Sequence, residues 1–239
     1  ETVAPEDPNI KNVPIDSSRL NVNLYSLAIE SNFSAPASGD VWIFTVAEGR
    51  VIGSNSTNDY AVDTGTGWPA GVTIRLVIMP GAYVVGMGGT GGIAGISGSS
   101  GFIFSFATAG SNGGPALYAQ VPIEIDNQGV IGGGGGGGGA AAAYDTLDGY
   151  LEANAESNGS GGAPSAGSPS LPYPAPVTVN DAAGPTRASA KGGQGGALGQ
   201  PGAAGTGSAS GGDGAVVKTG TGGLPGPAVV GNANITWIN

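Results

Sequence analysis

Aromatic side chains are concentrated in a short stretch that follows the first glycine-rich run of the chain. Phe102, Phe104 and Phe106 alternate there and supply three of the five Phe residues of the protein. Such alternation is typical of a strand that buries one face. It is equally typical of an exposed aromatic edge that docks on a partner. The segment 102–109 is therefore our first candidate binding loop, with both interpretations open.

A second candidate loop, 140–158, begins with four consecutive alanines and contains Tyr144, Asp145, Asp148 and Tyr150. The spacing of its acidic residues fits one face of a short solvated helix, although a glycine interrupts it. The spacing does not match that of a calcium-binding EF-hand loop. Paired carboxylates can cleave glycosides, but no surrounding constellation of aromatic and basic side chains supports that role here. We expect these residues to contact a partner.

The third candidate loop, 163–191, contains four prolines between residues 169 and 176. Proline fixes the backbone dihedral φ, so this part is stiff and extended, and it displays Leu171 and Tyr173 at little entropic cost. A plain spacer would have the same composition, and the two interpretations stay open.

Several classes of chemistry are excluded by residues that the chain lacks. The sequence contains no Cys and no His, which excludes disulfides, thiolate or imidazole metal sites and His-dependent catalysis. A net charge of −10 disfavours binding to nucleic acid. No apolar run approaches the length of a membrane span. We expect no enzyme activity, metal or cofactor, no nucleic acid partner and no membrane insertion.

Glycine carries the strongest pattern in the sequence. The chain has 49 Gly and 17 Pro in 239 residues, a share typical of low-complexity chains. Between residues 86 and 101, however, every third position is Gly, and between 193 and 226 ten of the twelve positions in phase are Gly. Ser208 and Val217 are the exceptions, and an unbroken run of eight glycines fills 132–139.

A period of three residues matches the polyproline-II type of helix rather than the α-helix or the strand. Such a helix makes no internal hydrogen bonds, so a buried one must bond to neighbours, which approach closely only where Cβ is absent. A collagen triple helix would require an unbroken phase, and disorder would not keep the phase at all. We prefer a bundle of short polyglycine-II helices that fold back at the non-glycine interruptions.

The composition divides the chain into three segments. Residues 1–36 are polar and weakly patterned, and we expect them to couple the protein to a shaft or to sister chains. Residues 37–85 contain β-branched and aromatic runs that predict short strands. Residues 86–239 form the glycine-rich part with the three loops. The predicted fold is mostly β and irregular, with a small β region followed by a polyglycine-II bundle with inserted loops.

A tripeptide of two β-branched residues and Gly recurs at 51–53, 84–86, 130–132 and 229–231. In the second and third cases it directly precedes a glycine-rich run, which suggests that a strand leads into each glycine helix.

From residue 37 onward the sequence resembles the glycine-rich, receptor-binding ends of tailed-bacteriophage fibres. The likeness extends to the distal tail-fibre adhesins of T-even-type phages and to the C-terminal ends of siphophage tail-tip or central-fibre proteins. The stretches that carry it are 42–46 (Trp-Ile-Phe-Thr-Val), 49–53 (Gly-Arg-Val-Ile-Gly), 67–74 (Gly-Trp-Pro-Ala-Gly-Val-Thr-Ile), 82–89 (Ala-Tyr-Val-Val-Gly-Met-Gly-Gly), 126–132 (Asp-Asn-Gln-Gly-Val-Ile-Gly) and 231–237 (Gly-Asn-Ala-Asn-Ile-Thr-Trp).

The resemblance implies polyglycine-II bundles whose loops bind an outer-membrane protein or a surface polysaccharide of the host during attachment. It places the protein in the virion, at the tip of the phage tail, with other tail proteins as partners. Fibre proteins of this kind are usually trimers, although the T-even-type adhesin caps a trimer as a single copy. We expect a homotrimer, because this chain carries its own N-terminal β region. The alternative function is a structural or ice-binding polyglycine-II protein, which the aromatic loops disfavour.

Overall fold

The computed structural model describes residues 9–99, 102–147, 150–163, 182–183, 188–210 and 214–238. These residues are mostly strands and irregular segments, as the sequence predicts. The helices are α1 (Leu24–Glu30) and a 3-10 helix (Asn232–Asn234). The strands are β1 (Ile10–Ile15), β2 (Arg19–Leu20), β3 (Val22–Asn23), β4 (Val41–Val46), β5 (Val51–Gly53), β6 (Val62–Asp63), β7 (Thr73–Ile78), β8 (Tyr83–Val85), β9 (Ala94–Ser99), β10 (Phe102–Ala107), β11 (Leu117–Tyr118), β12 (Ile123–Asn127), β13 (Val130–Gly132), β14 (Ala141–Leu147), β15 (Tyr150–Ser157), β16 (Ala182–Ala183), β17 (Ala188–Lys191), β18 (Thr206–Ala209), β19 (Val216–Thr219), β20 (Val229–Val230) and β21 (Ile235–Trp237).

Three parallel sheets form the base of the molecule. Sheet A has the order β1-β4-β7-β12-β21, sheet B the order β13-β8-β5-β2, and sheet C the order β20-β11-β6-β3. All neighbours in these sheets are parallel. The chain visits A, B and C in turn and then returns to A, so each circuit is one coil of a three-sided solenoid. We call this part the solenoid.

The apolar core lies inside the solenoid. Along β4 the side chains alternate, and Trp42, Phe44 and Val46 are fully buried. The parallel register stacks Phe44 against Leu76 of β7, which continues the same inward row. This alternation is what a strand with one core face and one outer face requires. The run of β-branched and aromatic residues at 41–46 therefore forms the strand that the sequence predicts.

The first three copies of the recurring β-branched tripeptide lie on successive coils of the solenoid, in sheet B. The copies at 51–53 and 130–132 are β5 and β13, and both pair with β8, where Ile52 and Ile131 lie opposite Val84. The copy at 84–86 spans the end of β8, while that at 229–231 begins in β20 of sheet C. β8 and β13 each lead into a glycine segment, as the sequence suggests.

Helix α1 lies at the first coil of the solenoid, directly after β3. Asn23 caps it, because its side-chain Oδ1 accepts a hydrogen bond of 3.0 Å from the backbone N–H of Ser26. Leu24 and Ala28, one helical turn apart, are buried against the solenoid. In the described part of the chain no helix is both long and apolar enough to cross a bilayer.

The eight glycines at 132–139 form the centre of a second part of the molecule. Successive backbone N–H groups donate to different neighbours: Gly134 to Gly114, Gly135 to Ala163 and Gly136 to Gln200. Every third residue then returns to the same neighbouring segment, as Gly137 does to Ser111. Carbonyl groups of this run accept hydrogen bonds from three further segments. The run is thus hydrogen-bonded on all sides.

Six segments surround this central run in a closed ring. In order around the ring they are 86–92, 158–163, 193–199, 200–205, 220–226 and 108–114, and each is hydrogen-bonded to the next. Segments that accept from the centre alternate around the ring with segments that donate to it. We call this arrangement the glycine ring.

The direction of the segments defines where the other strands lie. Segment 86–92 leaves β8 parallel to the central run, and 108–114 returns antiparallel to it toward β11. The central run likewise leaves β13, and 220–226 returns toward β20. The strands between outgoing and returning segments therefore lie at the end away from the solenoid. We call this end, with β9, β10 and β14 to β19, the tip.

Candidate functional site

The most exposed aromatic face of the described tip is on the hairpin of β9 and β10. Phe104 is 76% exposed and Phe106 is 47% exposed. Their antiparallel partners on β9 are Ser97 and Gly95, which are too small to cover the rings. A Cβ on Gly95 would lie 2.5 Å from the ring of Phe106, so that ring lies against the bare backbone of β9. The result is an apolar surface that faces solvent.

The hairpin is held on the tip by hydrogen bonds to β15 and the residue after it. The backbone N–H of Ile96 donates to Oε1 of Glu156 at 2.9 Å, and that of Ala94 donates to Oδ1 of Asn158 at 2.9 Å. At its base, the N–H of Ile93 donates to Oγ1 of Thr108 at 2.8 Å. These bonds fix the position of the aromatic face relative to the rest of the tip.

Beneath the hairpin, two three-stranded sheets pack through alanine. Their orders are β15-β14-β19 and β16-β17-β18. The small side chains allow the sheets to approach closely, and they form a buried cluster of Ala141, Ala143, Ala155, Ala188 and Ala190. The alanine run of the second predicted loop is therefore a strand rather than a helix, because its methyl groups fill this interface.

The predicted contact residues fall into four groups. Phe104 and Phe106 are exposed at the tip, and Tyr144 on β14 is partly buried. Phe102 and Tyr150 lie on β10 and β15 at the same end of the molecule. Asp145 is on β14 and is 0% exposed, so its carboxylate does not face solvent in this structure. Asp148, Leu171 and Tyr173 lie outside the described residues, as does most of the predicted loop 163–191.

Two exposed apolar residues at the tip were not predicted. Ile93 is 59% exposed and Val217 is 39% exposed. Ile93 ends the first glycine segment and precedes β9, and Val217 lies on β19 beside β14. The break in the glycine phase at Val217 was the available signal in the sequence. Ser208, the other break, lies on β18, so both exceptions mark tip strands.

A different apolar surface lies at the first coil of the solenoid. Ile29 is 50% exposed and Phe33 is 43% exposed. At the same coil a groove of about 280 Å³ is lined by β2, β3 and α1, with Arg19, Leu20 and Leu27 among its residues. Among the described residues, no cluster of three or more acidic side chains is arranged to hold a metal ion.

Comparisons with known proteins agree with this architecture. The family model of the phage tail fibre adhesin Gp38 matches residues 10–239. A chain in the crystal structure of the gp37–gp38 adhesin tip complex of the bacteriophage S16 long tail fibre is similar in fold. The TM-score is 0.50 and the identity 21%, over 96% of this chain and 78% of that chain. The comparison with curated proteins gives no match. Because the family model spans nearly the whole chain, the protein belongs to the Gp38 family of phage tail fibre adhesins and is a component of the virion tail.

Proposed function

We propose that the protein attaches the phage to its host by binding a bacterial surface receptor with the tip. The observation that carries this proposal is the exposed aromatic face of β10, with Phe104 and Phe106, at the end of the molecule farthest from the solenoid. Aromatic side chains dominate binding hot spots because they bury a large area with few rotatable bonds. The protein acts by binding, without catalysis.

The glycine ring supports the proposal because it explains how the tip can be held rigidly. The tip strands continue directly into the ring segments, whose backbone groups are hydrogen-bonded on several sides. A preorganised surface loses little conformational entropy on binding. The aromatic face is therefore presented in one position.

We further propose that the seven glycine-rich segments are polyglycine-II helices. Support comes from the hydrogen bonds of the central run, which return to the same neighbour at every third residue. Three residues per turn is the repeat of this helix type. An experimental structure in which these segments have the dihedral angles of ordinary strands would contradict the assignment.

The receptor is an outer-membrane protein or a surface polysaccharide. Binding of the purified, fluorescently labelled chain to intact host cells tests the proposal. Protease treatment of the cells abolishes binding to a protein receptor, and enzymatic removal of the polysaccharide abolishes binding to a glycan. If the chain fails to bind host cells, and fails to compete with phage adsorption, the proposal is wrong.

The substitution Phe104→Ser tests the tip itself. We expect it to weaken binding to cells about tenfold or more, as removal of an aromatic anchor does. Leu224→Ser is the matched control, because Leu224 is 64% exposed but lies on a ring segment rather than on a tip strand. Equal binding by both variants would contradict the role of the aromatic face.

We propose that the first coil of the solenoid docks on another tail protein, as the relative is found in complex with gp37. β1, β2 and β3 stand at the edges of sheets A, B and C, so their outer backbone groups are available to a partner. Ile29, which lies on the helix that lines part of the groove, and Phe33 add exposed apolar side chains at this coil. Residues 1–36 would then couple the adhesin to the fibre.

The double substitution Ile29→Asp with Phe33→Asp should abolish co-purification with the fibre protein of the same phage and leave cell binding by the isolated chain unchanged. Phe104→Ser should do the reverse. The homotrimer expected from the sequence stays a prediction, and light scattering of the purified chain, alone and with the fibre protein, measures it.

A further inference from the structure

The chain contains two Asn-Gly peptides, Asn112–Gly113 and Asn158–Gly159, and both lie in the glycine ring. Asn followed by Gly is the sequence most prone to deamidation, because no Cβ hinders the approach of the glycine nitrogen to the asparagine side chain. Both peptides are preceded by Ser, and both lie on segments that return from the tip. An exposed, unstructured Asn-Gly would be a point of chemical damage.

Each of the two peptides is held by two hydrogen bonds of the same kind: one is accepted by Oδ1 of the asparagine, and the other is donated by the N–H of the glycine. Oδ1 of Asn112 accepts from the N–H of Leu224 at 2.8 Å, and the N–H of Gly113 donates to the carbonyl of Leu224 at 2.9 Å. At the second peptide, Oδ1 of Asn158 accepts from Ala94 at 2.9 Å, and the N–H of Gly159 donates to Gly92 at 3.0 Å. The two groups that must react with each other are thus bonded to a neighbouring segment.

We propose that these peptides are latent modification sites that the glycine ring keeps closed. In the reaction, the glycine nitrogen loses its proton and bonds to Cγ of Asn, while the Cγ–Nδ2 bond breaks and ammonia leaves. Water then opens the resulting succinimide at either carbonyl and yields Asp or isoaspartate. The first step requires both hydrogen bonds to open, so the rate measures how often the ring opens locally.

Modification at either site would disrupt the folded ring irreversibly. Isoaspartate inserts one extra carbon atom into the main chain, which displaces the following residues from their three-residue register with the neighbouring segments. Carbonyl and N–H groups of the ring would then lose their partners, and buried unpaired backbone groups destabilise the folded state. An adhesin molecule in which isoaspartate forms while the ring is open would therefore be unable to close the ring again.

Peptide mass spectrometry after incubation of the purified full chain at mildly alkaline pH tests the proposal. We expect deamidation at both sites to be fast in urea and at least about tenfold slower in the native protein, since several hydrogen bonds must open. Equal rates in the native and unfolded protein would overturn the proposal.

The substitution Leu224→Pro tests the hydrogen-bond pair itself. It removes the backbone N–H of residue 224 that donates to Oδ1 of Asn112, while the carbonyl of residue 224 remains. Leu224 precedes Pro225 and is 64% exposed, so an extended backbone that suits proline is already favoured there. We expect deamidation of Asn112 to be roughly three- to tenfold faster, the effect of one lost hydrogen bond. Asn158 in the same molecule should keep its rate.

Leu224→Ala is the matched control, because it retains the N–H and should leave both rates unchanged. An unchanged rate at Asn112 in the proline variant would contradict the proposal. So would a parallel rise at Asn158, which would indicate loosening of the whole ring rather than loss of a local hydrogen bond.

Discussion

The central run at 132–139 consists of glycine because its neighbours lie too close for side chains, and not because the backbone there must be flexible. A Cβ on Gly133, Gly136 or Gly139 would overlap the carbonyl group of Gly226, Gly223 or Gly220. Gly134, Gly135, Gly137 and Gly138 meet carbonyl groups of other segments in the same way, whereas a Cβ on Gly132 would meet the side chain of Leu198. Because backbone groups of its neighbours surround the central run from Gly133 to Gly139, none of these residues has room for a side chain. In the ring segments, a Cβ at every third residue would overlap a carbonyl group either of the central run, as at Gly110 and Gly113, or of the adjacent ring segment, as at Gly86 and Gly89. This close approach explains why their glycines are spaced by three.

Gly136→Ala should therefore destabilise the protein strongly. We expect a loss of about 3 kcal/mol in the free energy of unfolding, since the backbone groups that surround residue 136 are fixed by their own hydrogen bonds. Chemical denaturation followed by circular dichroism measures it.

Gly161→Ala is the matched control in the same fold. The nearest atom to a Cβ at Gly161 is the carbonyl oxygen of Gly89 at 3.5 Å, an ordinary van der Waals distance. We expect a change within about 1 kcal/mol, because alanine also restricts the unfolded chain. If both variants lose the same stability, close packing of the central run is not the reason for its composition.

At the scale of elements, α1 is capped by a single side chain at its start. The helix has seven residues and is too short to be stable alone, so its cap and its buried face must hold it. Asn23→Ala should cost about 1 kcal/mol in the free energy of unfolding, whereas Asn23→Asp, which retains the acceptor oxygen, should cost less. Equal losses in urea denaturation would show that the cap does not matter.

The two predicted loops differ in what they do for the fold. The hairpin of β9 and β10 lies on the outside of the tip, whereas β14 contributes Ala141 and Ala143 to the buried alanine cluster. Replacement of 95–106 by a short glycine linker should abolish adsorption and leave the melting temperature nearly unchanged. Replacement of 141–157 should lower the melting temperature as well, because it removes an inner strand. Calorimetry and a cell-binding assay separate the two effects.

At the scale of the whole molecule, the solenoid and the glycine ring are not successive along the chain. Sheet A takes β1 from the first sequence segment, β4 and β7 from the second, and β12 and β21 from the third. The boundary placed at residue 85 therefore does not coincide with a boundary between sheets. The glycine segments are insertions between sheets B and C of the later coils.

A fragment that ends at residue 85 should for this reason fail to fold as an independent unit. It would retain the first coils but lack β11 and β12, which cover the open edges of sheets C and A and contribute Leu117 and Ile125 to the core. We expect poorly dispersed amide signals in the NMR spectrum of the fragment, against a dispersed spectrum of the full chain. A well-dispersed spectrum of the fragment would support the division predicted from sequence.

Sequence alone determined the glycine spacing, the strand at 41–46, the recurring tripeptide and the alternating Phe residues, because each depends on local geometry or on the presence of Cβ. Only the tertiary structure decided that 132–139 is surrounded by six segments, that β1 and β21 share a sheet, and that Asp145 is buried. These features depend on contacts between residues far apart in the chain. A local sequence pattern does not identify which residues make such contacts. The exposure of Phe104 is of the same kind, since alternation fits a covered face and an open one equally well, and the small residues of β9 leave it open.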